Sequence, residues 1–365
     1  MIAVQVTHGY NALPFSPWMN AAVIDPIENR IAEFRQQDRM KTGSLIVSIF
    51  GDAILPRGGR VWLGSLIRLL EPLQLNERLI RTSIFRLVKE GWLQSETIGR
   101  RADYMLTPGG ARRSEESARQ IYASHAPIWD RRWRLILTVG NLDPKQRQQL
   151  RRALFWQGFG VIGPDCFVHP GTDLTKAFDA LTTDGMGELL KYLMPMVAAD
   201  AGSDISASGA NLVNMAWDLA HLGESYAEFV RRYQPILDKL RWDPQREIGD
   251  EGAFLLRTLL IHDYRRLTLR DPELPDVLLP REWPGQKARR LCKELYRRLL
   301  TPSERHIDEH LQLANGSTPE SAQWLDMRFA DEDPLVPPAC GAICLICPPV
   351  PGEKSRVNPQ KLTVC

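Results

Sequence analysis

The sequence contains no uninterrupted apolar run of about 18 residues, so no helix is expected to span a bilayer. It opens MIAVQVTHGYNALPFSPWM, without the basic start and continuous apolar stretch of a secretory leader. It also lacks a charge excess. Its 46 Lys and Arg stand against 44 Asp and Glu, a net +2, so attraction to a polyanion has to come from local clustering. Cysteine is scarce as well. Of six in all, Cys340, Cys344, Cys347 and Cys365 crowd into a Pro-rich final stretch. Cys166 and Cys292 lie in apolar patterns and are expected to be buried thiols. A reduced, cytoplasmic protein follows from that usage. No Ser-His-Asp spacing, Gly-rich phosphate loop or pair of metal-ligand motifs is present, so neither an enzyme nor a bound cofactor or metal is expected. Cys340, Cys344 and Cys347 have the spacing of an iron–sulfur cluster motif. Only 18 residues follow Cys347, however, too few for the barrel that such chemistry uses.

What is present fits an α+β chain of several domains. Residues 1–41 read as an N-terminal arm. Within it Ile27, Ile31 and Phe34 mark a short amphipathic helix, suited to touching DNA or a dimer partner. Residues 42–110 form the first compact unit. An apolar helix starts near Ser44, a short extended piece covers Val61 to Leu63, and a second helix is stopped by Pro72. A third helix is capped by Asn76 and closed by Gly91, and a hairpin follows. That order is a winged helix-turn-helix. Residues 111–126 read as a polar linker helix. Residues 127–205 alternate strand and helix, with Asp143-Pro144 starting a helix, and suggest a ferredoxin-like α+β domain. Residues 206–315 are helical throughout. The remainder, 316–365, is expected to be a disordered tail.

The third helix and its hairpin carry the chemistry. On a helical wheel Arg78, Arg81, Thr82, Arg86 and Lys89 share one side, and Ile80, Ile84, Leu87 and Val88 the other. Phe85 lies within the basic side, where a thymine methyl, a deoxyribose or a partner hairpin could cover it. Between Asn76 and Arg101 six Lys or Arg oppose three acids, a local excess of +3. A compact cationic module gains by displacing counterions from a duplex, and a helix fits the major groove. The candidate DNA contacts are Arg78, Arg81, Thr82, Ser83, Phe85, Arg86 and Lys89, with Arg100 and Arg101 at the hairpin tip reaching the neighbouring backbone or minor groove. The bland alternative is a solvated basic surface.

The stretch SLIVSIFGDAILPRGGRVWLGSLIRLLEPLQLNERLIRTSIFRLVKEGWLQSETIGRRADYMLT resembles the PaaX family, transcriptional repressors of phenylacetate degradation. APIWDRRW, LFWQGFG and LLIHDYRRLTLRDPELPDVLLPREWPGQKARRLCKELY resemble it too, in family order, across roughly residues 42 to 300. The resemblance implies an N-terminal winged helix, a ferredoxin-like middle and a helical C-terminal domain. It also implies a homodimer on a palindromic operator, released by phenylacetyl-CoA. The arm before Met40 and the Cys-rich tail depart from the family pattern.

An aryl-CoA effector needs an apolar slot beside several cations. His262, Tyr264, Arg265, Arg266, Trp283 and Arg289 are the candidates, set against the commoner reading of such residues as core packing and surface ion pairs. Trp129 and Trp133 read as packing residues at the entry to the central domain. A competing function is a metal-dependent nuclease built on the ferredoxin-like domain, with Asp143 near the first strand. Asp143 is better explained as a helix cap.

Overall fold

A computed structural model describes residues 25–36, 42–200, 209–243, 248–322, 325 and 328–330. Helix α1 (Pro26–Arg35) begins where the Asp25 carboxylate accepts from the Ile27 amide. Its apolar residues Ile27, Ile31 and Phe34 are buried as the periodicity requires. They do not form a free arm. Arg30, fully buried beside them, donates to the Tyr233 hydroxyl at 3.1 Å and to Asp263 at 2.7 Å, which fastens α1 to the C-terminal helices. Residues 1–24 lie outside the described residues.

The first unit is α2 (Thr42–Ile49), prolonged by wider and tighter helical turns through Arg57, then β1 (Arg60–Trp62), α3 (Leu63–Leu70), α4 (Glu77–Lys89), β2 (Leu93–Ile98) and β3 (Arg101–Leu106). The three strands form an antiparallel sheet in the order β1-β3-β2. One boundary differs from expectation, because Leu63 already belongs to α3. That helix ends at Leu70, just ahead of Pro72, which sits in a further tight turn, Glu71–Leu73. Helix α5 (Pro108–Ile121) is less of a polar connector than its composition suggests, because Ser114, Ile121 and Tyr122 are buried.

The central unit runs β4 (Arg132–Thr138), α6 (Pro144–Trp156), β5 (Gly160–Val161), β6 (Cys166–His169), α7 (Leu174–Leu181) and β7 (Leu193–Ala199). Its sheet order, β5-β6-β4-β7, is antiparallel throughout. A βαββαβ chain in that order is the ferredoxin-like arrangement. The two sheet faces have different fates. One is covered by α6 and α7, which bring Leu150, Leu154, Ala177 and Leu181 onto Ile136 and Phe167. The other contributes Trp133 and Val168 to the large core shared with the C-terminal helices. Trp133 packs edge-on against Trp129, ring centroids 5.3 Å apart, as expected of packing residues. Cys166 is only half-buried, contrary to expectation, because β6 begins at the sheet rim; Cys292 is fully buried.

The C-terminal unit comprises α8 (Gly209–Ala216), α9 (Leu219–Trp242), α10 (Asp250–Thr268) and α11 (Pro284–His310). Among the described residues no helix is long and apolar enough to cross a membrane. The expectation of a disordered tail from residue 316 fails for the described part. Leu325 and Phe329 are buried, and Arg328 enters the interior. The four tail cysteines lie outside the described residues.

Arg328 belongs to a buried ionic cluster that joins the units. Asp52, on the extension of α2, accepts from Tyr122 Oη at 2.6 Å, Tyr296 Oη at 3.0 Å and Arg328 at 2.7 Å, and Arg257 Nε lies 2.8 Å away. Arg257 also meets Glu304, which pairs with Arg57, which in turn meets Asp308 at 2.6 Å. Burial alone would raise the Asp52 pKa, but the two guanidiniums and their hydrogen bonds outweigh it and hold the carboxyl below its ordinary value. The cluster seats the first unit on α10 and α11.

Candidate nucleic-acid interface

Helix α4 is shaped at both ends by its own sequence. The Asn76 side chain accepts from the Arg78 amide at 2.8 Å. At the other end Gly91 adopts φ +70°, its amide reaching Val88 O at 3.1 Å, while the Trp92 amide reaches Leu87 O at 2.9 Å. Those two bonds are a Schellman stop, and a left-handed residue there favours glycine. Ile80, Ile84 and Leu87 are buried against the first unit's core, with Val88 partly buried.

The opposite face is open. Arg78, Arg81, Thr82, Arg86 and Lys89 are all exposed, and Phe85 stands among them at 72% exposure. Among the described residues, no carboxylate lies within ion-pair distance of Arg78, Arg86 or Lys89. Arg81 is bound by its helical neighbour Glu77 at 2.6 Å, an exposed pair of small energetic weight that an incoming phosphate can displace. The Thr82 hydroxyl donates back to Arg78 O at 2.8 Å, so it faces outward as an acceptor. Ser83 is half-buried on the flank of the helix.

The hairpin differs from expectation in one respect. Ile98 pairs with Arg101, so the turn is Gly99-Arg100 alone, with Gly99 at φ +61°. Arg100 occupies the tip and is exposed. Arg101 belongs to β3, and its guanidinium lies 4.3 Å from the centroid of the Trp62 ring on β1. It braces the sheet from the outside, a role that sequence spacing could not reveal because Trp62 lies some 40 positions earlier.

The six candidate effector residues do not form one site. His262 is buried, with Nδ1 3.1 Å from Ser48 Oγ. Burial pushes its pKa down to about 4, the pattern of a core histidine. Arg266 is exposed and lines neither of the two clefts described here. Arg265 lines a shallow cleft between α2, α5 and α10, about 330 Å³ including its open mouth, beside Asp52 and Tyr122. Tyr264, Trp283 and Arg289 converge with Tyr226 and Asp271 on a second cleft, about 440 Å³ including its open mouth, next to the 120–127 link between the first and central units. Burial raises the Asp271 pKa, and its carboxylate accepts from Tyr226 Oη at 2.7 Å.

The residue on which the nuclease alternative rests is engaged in local structure. Asp143 caps α6, accepting from the Gln146 amide at 2.8 Å while Gln146 returns a side-chain bond, a complete capping box. Among the described residues no group of three or more His, Cys, Asp or Glu is placed to hold a metal ion. Sequence reading missed Asp52 and Arg257, although each is a charged residue inside an otherwise apolar helical run, SIFGDAI and AFLLRTLLI. That mismatch is the signal of a buried ion pair.

Three family models match consecutive parts of the chain: PaaX-like protein over 41–110, the PaaX protein central Cas2-like domain over 126–203, and the PaaX-like protein C-terminal domain over 217–309. The transcriptional repressor PaaX of Escherichia coli (strain K12) is 36% identical over 289 residues, covering 78% of this chain and 89% of the relative. A solved structure of an uncharacterised protein from Mycobacterium tuberculosis aligns with a TM-score of 0.43 at 20% identity, covering 66% of this chain and 88% of that one.

Proposed function

This chain belongs to the PaaX family of transcriptional repressors, regulators rather than enzymes, and we propose that it silences a phenylacetate-type catabolic operon by binding its operator as a homodimer through α4. The observation that carries the reading is the open cationic face of α4, propped from behind by Ile80, Ile84 and Leu87. Residues 42–110 then act as a winged helix-turn-helix. Helix α3 precedes the reading helix α4, and the β2–β3 hairpin is the wing, with Arg100 at its tip. Such a protein works in the cytoplasm, where bacterial DNA is.

Base-edge contacts by Arg81 and Arg86 set specificity, and phosphate contacts by Arg78, Lys89 and Arg100 set position. Arg81→Ala and Arg86→Ala are each expected to weaken operator binding by about 1–3 kcal/mol and to relax sequence preference. Arg100→Ala is expected to lower the slope of log K against log salt by about 0.9 with sequence preference intact. Fluorescence anisotropy over a salt series separates the two effects. Unaltered binding by all three variants would remove α4 and its wing from the interface.

Release by an aryl-CoA thioester such as phenylacetyl-CoA follows from linkage. The effector binds the arrangement that cannot hold DNA more tightly, so its binding and operator binding oppose each other. A hundredfold release needs about 2.7 kcal/mol of differential affinity. The cleft lined by Tyr226, Tyr264, Trp283 and Arg289 lies where α10 and α11 meet the link to the first unit, and it has to widen to admit an aryl acyl end, which is how effector binding would shift that joint. The Asp52 cluster makes that first unit rigid with α10 and α11, so a shift there reaches α4. Arg289→Ala is expected to raise the effector concentration for half-release by roughly ten- to a hundredfold, the loss of one charge-assisted bond, while operator affinity stays unchanged. A mobility shift with the operon's upstream region, titrated with a panel of acyl-CoA thioesters, tests both the operator and the effector.

A further inference from the structure

Helix α6 is the second basic face of the molecule, and nothing in the reading above uses it. Its sequence, PKQRQQLRRALFW, contains four cations and no acid. Arg147 is spoken for by Asp165. Among the described residues, Lys145, Arg151 and Arg152 meet no carboxylate. At 100° per residue Lys145, Gln148, Gln149, Arg152, Phe155 and Trp156 fall within about 120° of arc, with Arg151 on the flank. All seven are exposed. The inner side, Leu150 and Leu154, is fully buried on the sheet.

The aromatic pair is the anomaly. Phe155 is 61% and Trp156 66% exposed, and the rings stand edge to face at 6.1 Å. Two adjacent large rings left in water at the end of a cationic stripe form a contact surface rather than a solvated face. The stripe also looks away from the body of the protein, because α6 covers the sheet face opposite the one packed on the C-terminal helices.

We propose that this outer face of α6 is a second duplex-binding surface, gripping the sugar–phosphate backbone of DNA beside the operator. Lys145, Arg151 and Arg152 meet phosphates, Gln148 and Gln149 donate amide hydrogens to the same strand, and Phe155 and Trp156 lie on deoxyribose. The choice of partner follows from charge. A two-fold contact with a second copy would bring the Lys145, Arg151 and Arg152 of both copies into one interface with no acid on either helix to meet them. Long stiff DNA supplies the matching anion at every step of its axis. The inference rests on the reading of α4 as the operator-binding helix and extends the footprint beyond it.

The test uses the full-length chain, with two labelled duplexes from its operon's upstream region. One is the shortest fragment whose binding depends on Arg86, and the other is the same fragment lengthened by about one helical turn on each side. The parent is expected to bind the longer duplex more tightly. Arg151→Ala/Arg152→Ala and Trp156→Ala are expected to lose that gain while binding the short duplex like the parent. For the double variant the salt slope on the long duplex should fall by about 1.8, two phosphate contacts. Circular dichroism melts confirm that the variants are folded. A parent without any length gain, or variants that keep it, would overturn the inference. So would sedimentation showing that Trp156→Ala splits a dimer, because α6 would then be a self-association face. A parent that binds neither duplex defeats the α4 reading, and this one with it.

Discussion

Replacement of Asp52 by asparagine is expected to cost about 3–5 kcal/mol of folding stability, the penalty for leaving buried charge without its partner. The substitution keeps the shape and removes the charge. Arg257 and Arg328, both almost wholly buried, then face a neutral amide, although Glu304 and Ser303 still meet Arg257, and backbone carbonyls and the Tyr296 hydroxyl still meet Arg328. The Tyr122 and Tyr296 hydroxyls, which both converge on Asp52 Oδ1, lose the charge that strengthens their bonds. Urea denaturation gives the measure, as a fall in midpoint at unchanged slope. Asp308→Asn is the control. Asp308 pairs with Arg57 at 2.6 Å but is more than half exposed, so its loss should cost under about 1 kcal/mol. Equal effects at the two positions would mean that the cluster does not hold the units together. Because Asp52 is carried by the first unit and Arg257 by α10, Asp52→Asn should also loosen the seating of α4 before the chain unfolds. Operator affinity is expected to fall under conditions where the protein is still folded.

The second large effect is acid destabilisation between about pH 6.5 and 4. His169 and His262 are both buried, and burial pushes each pKa down to about 4 from an ordinary 6.5. His169 shows the cause in its bonds. Nδ1 accepts from the Gly171 and Thr172 amides at 2.9 and 2.8 Å, and Nε2 lies 3.1 Å from Pro272 O. That set fits only the neutral ring with its proton on Nε2, since a proton on Nδ1 would face two donors. Arg134 adds repulsion. His262 has Ser48 at Nδ1, and its charged neighbours Asp263, Arg265, Arg266 and Arg30 work in opposite senses. Folded-state pKa values below the unfolded value mean that the unfolded chain binds more protons in this window. The stabilisation is therefore whole above about pH 6.5 and drains away as pH falls toward 4, by at most about 3 kcal/mol per ring. His169→Gln and His262→Gln, measured singly by thermal melts against pH, are each expected to flatten the curve in that window. An unchanged pH profile in both variants would show that these rings are not the titrating groups. Asp52 and Asp263, whose pKa values lie below the carboxylate norm, add their losses only at lower pH.

Both histidines stand at joints between units. His262 links α10 to Ser48 of α2, and His169 links β6 to the loop at Pro272. Moderate acid is therefore expected to loosen the units from each other before it dissolves their separate cores.

Local order was legible from residues alone because local rules suffice for it. Asn76, Gly91, Asp143 with Pro144, and the 3.6-residue spacing of Ile80, Ile84 and Leu87 specify where helices start, stop and turn inward. The alternation of strand and helix from Arg132 to Ala199 and the basic face of α4 were readable in the same way. Tertiary structure alone decided what lies far apart in sequence: Arg101 on Trp62, Arg30 on Asp263, Asp52 between Arg257 and Arg328, and the division of six candidate effector residues among different places. The physical reason is range. Caps and helical faces are set by neighbours within a few positions. The partner of a buried charge is set by which distant element desolvates it, and no pattern of spacing along the chain records that.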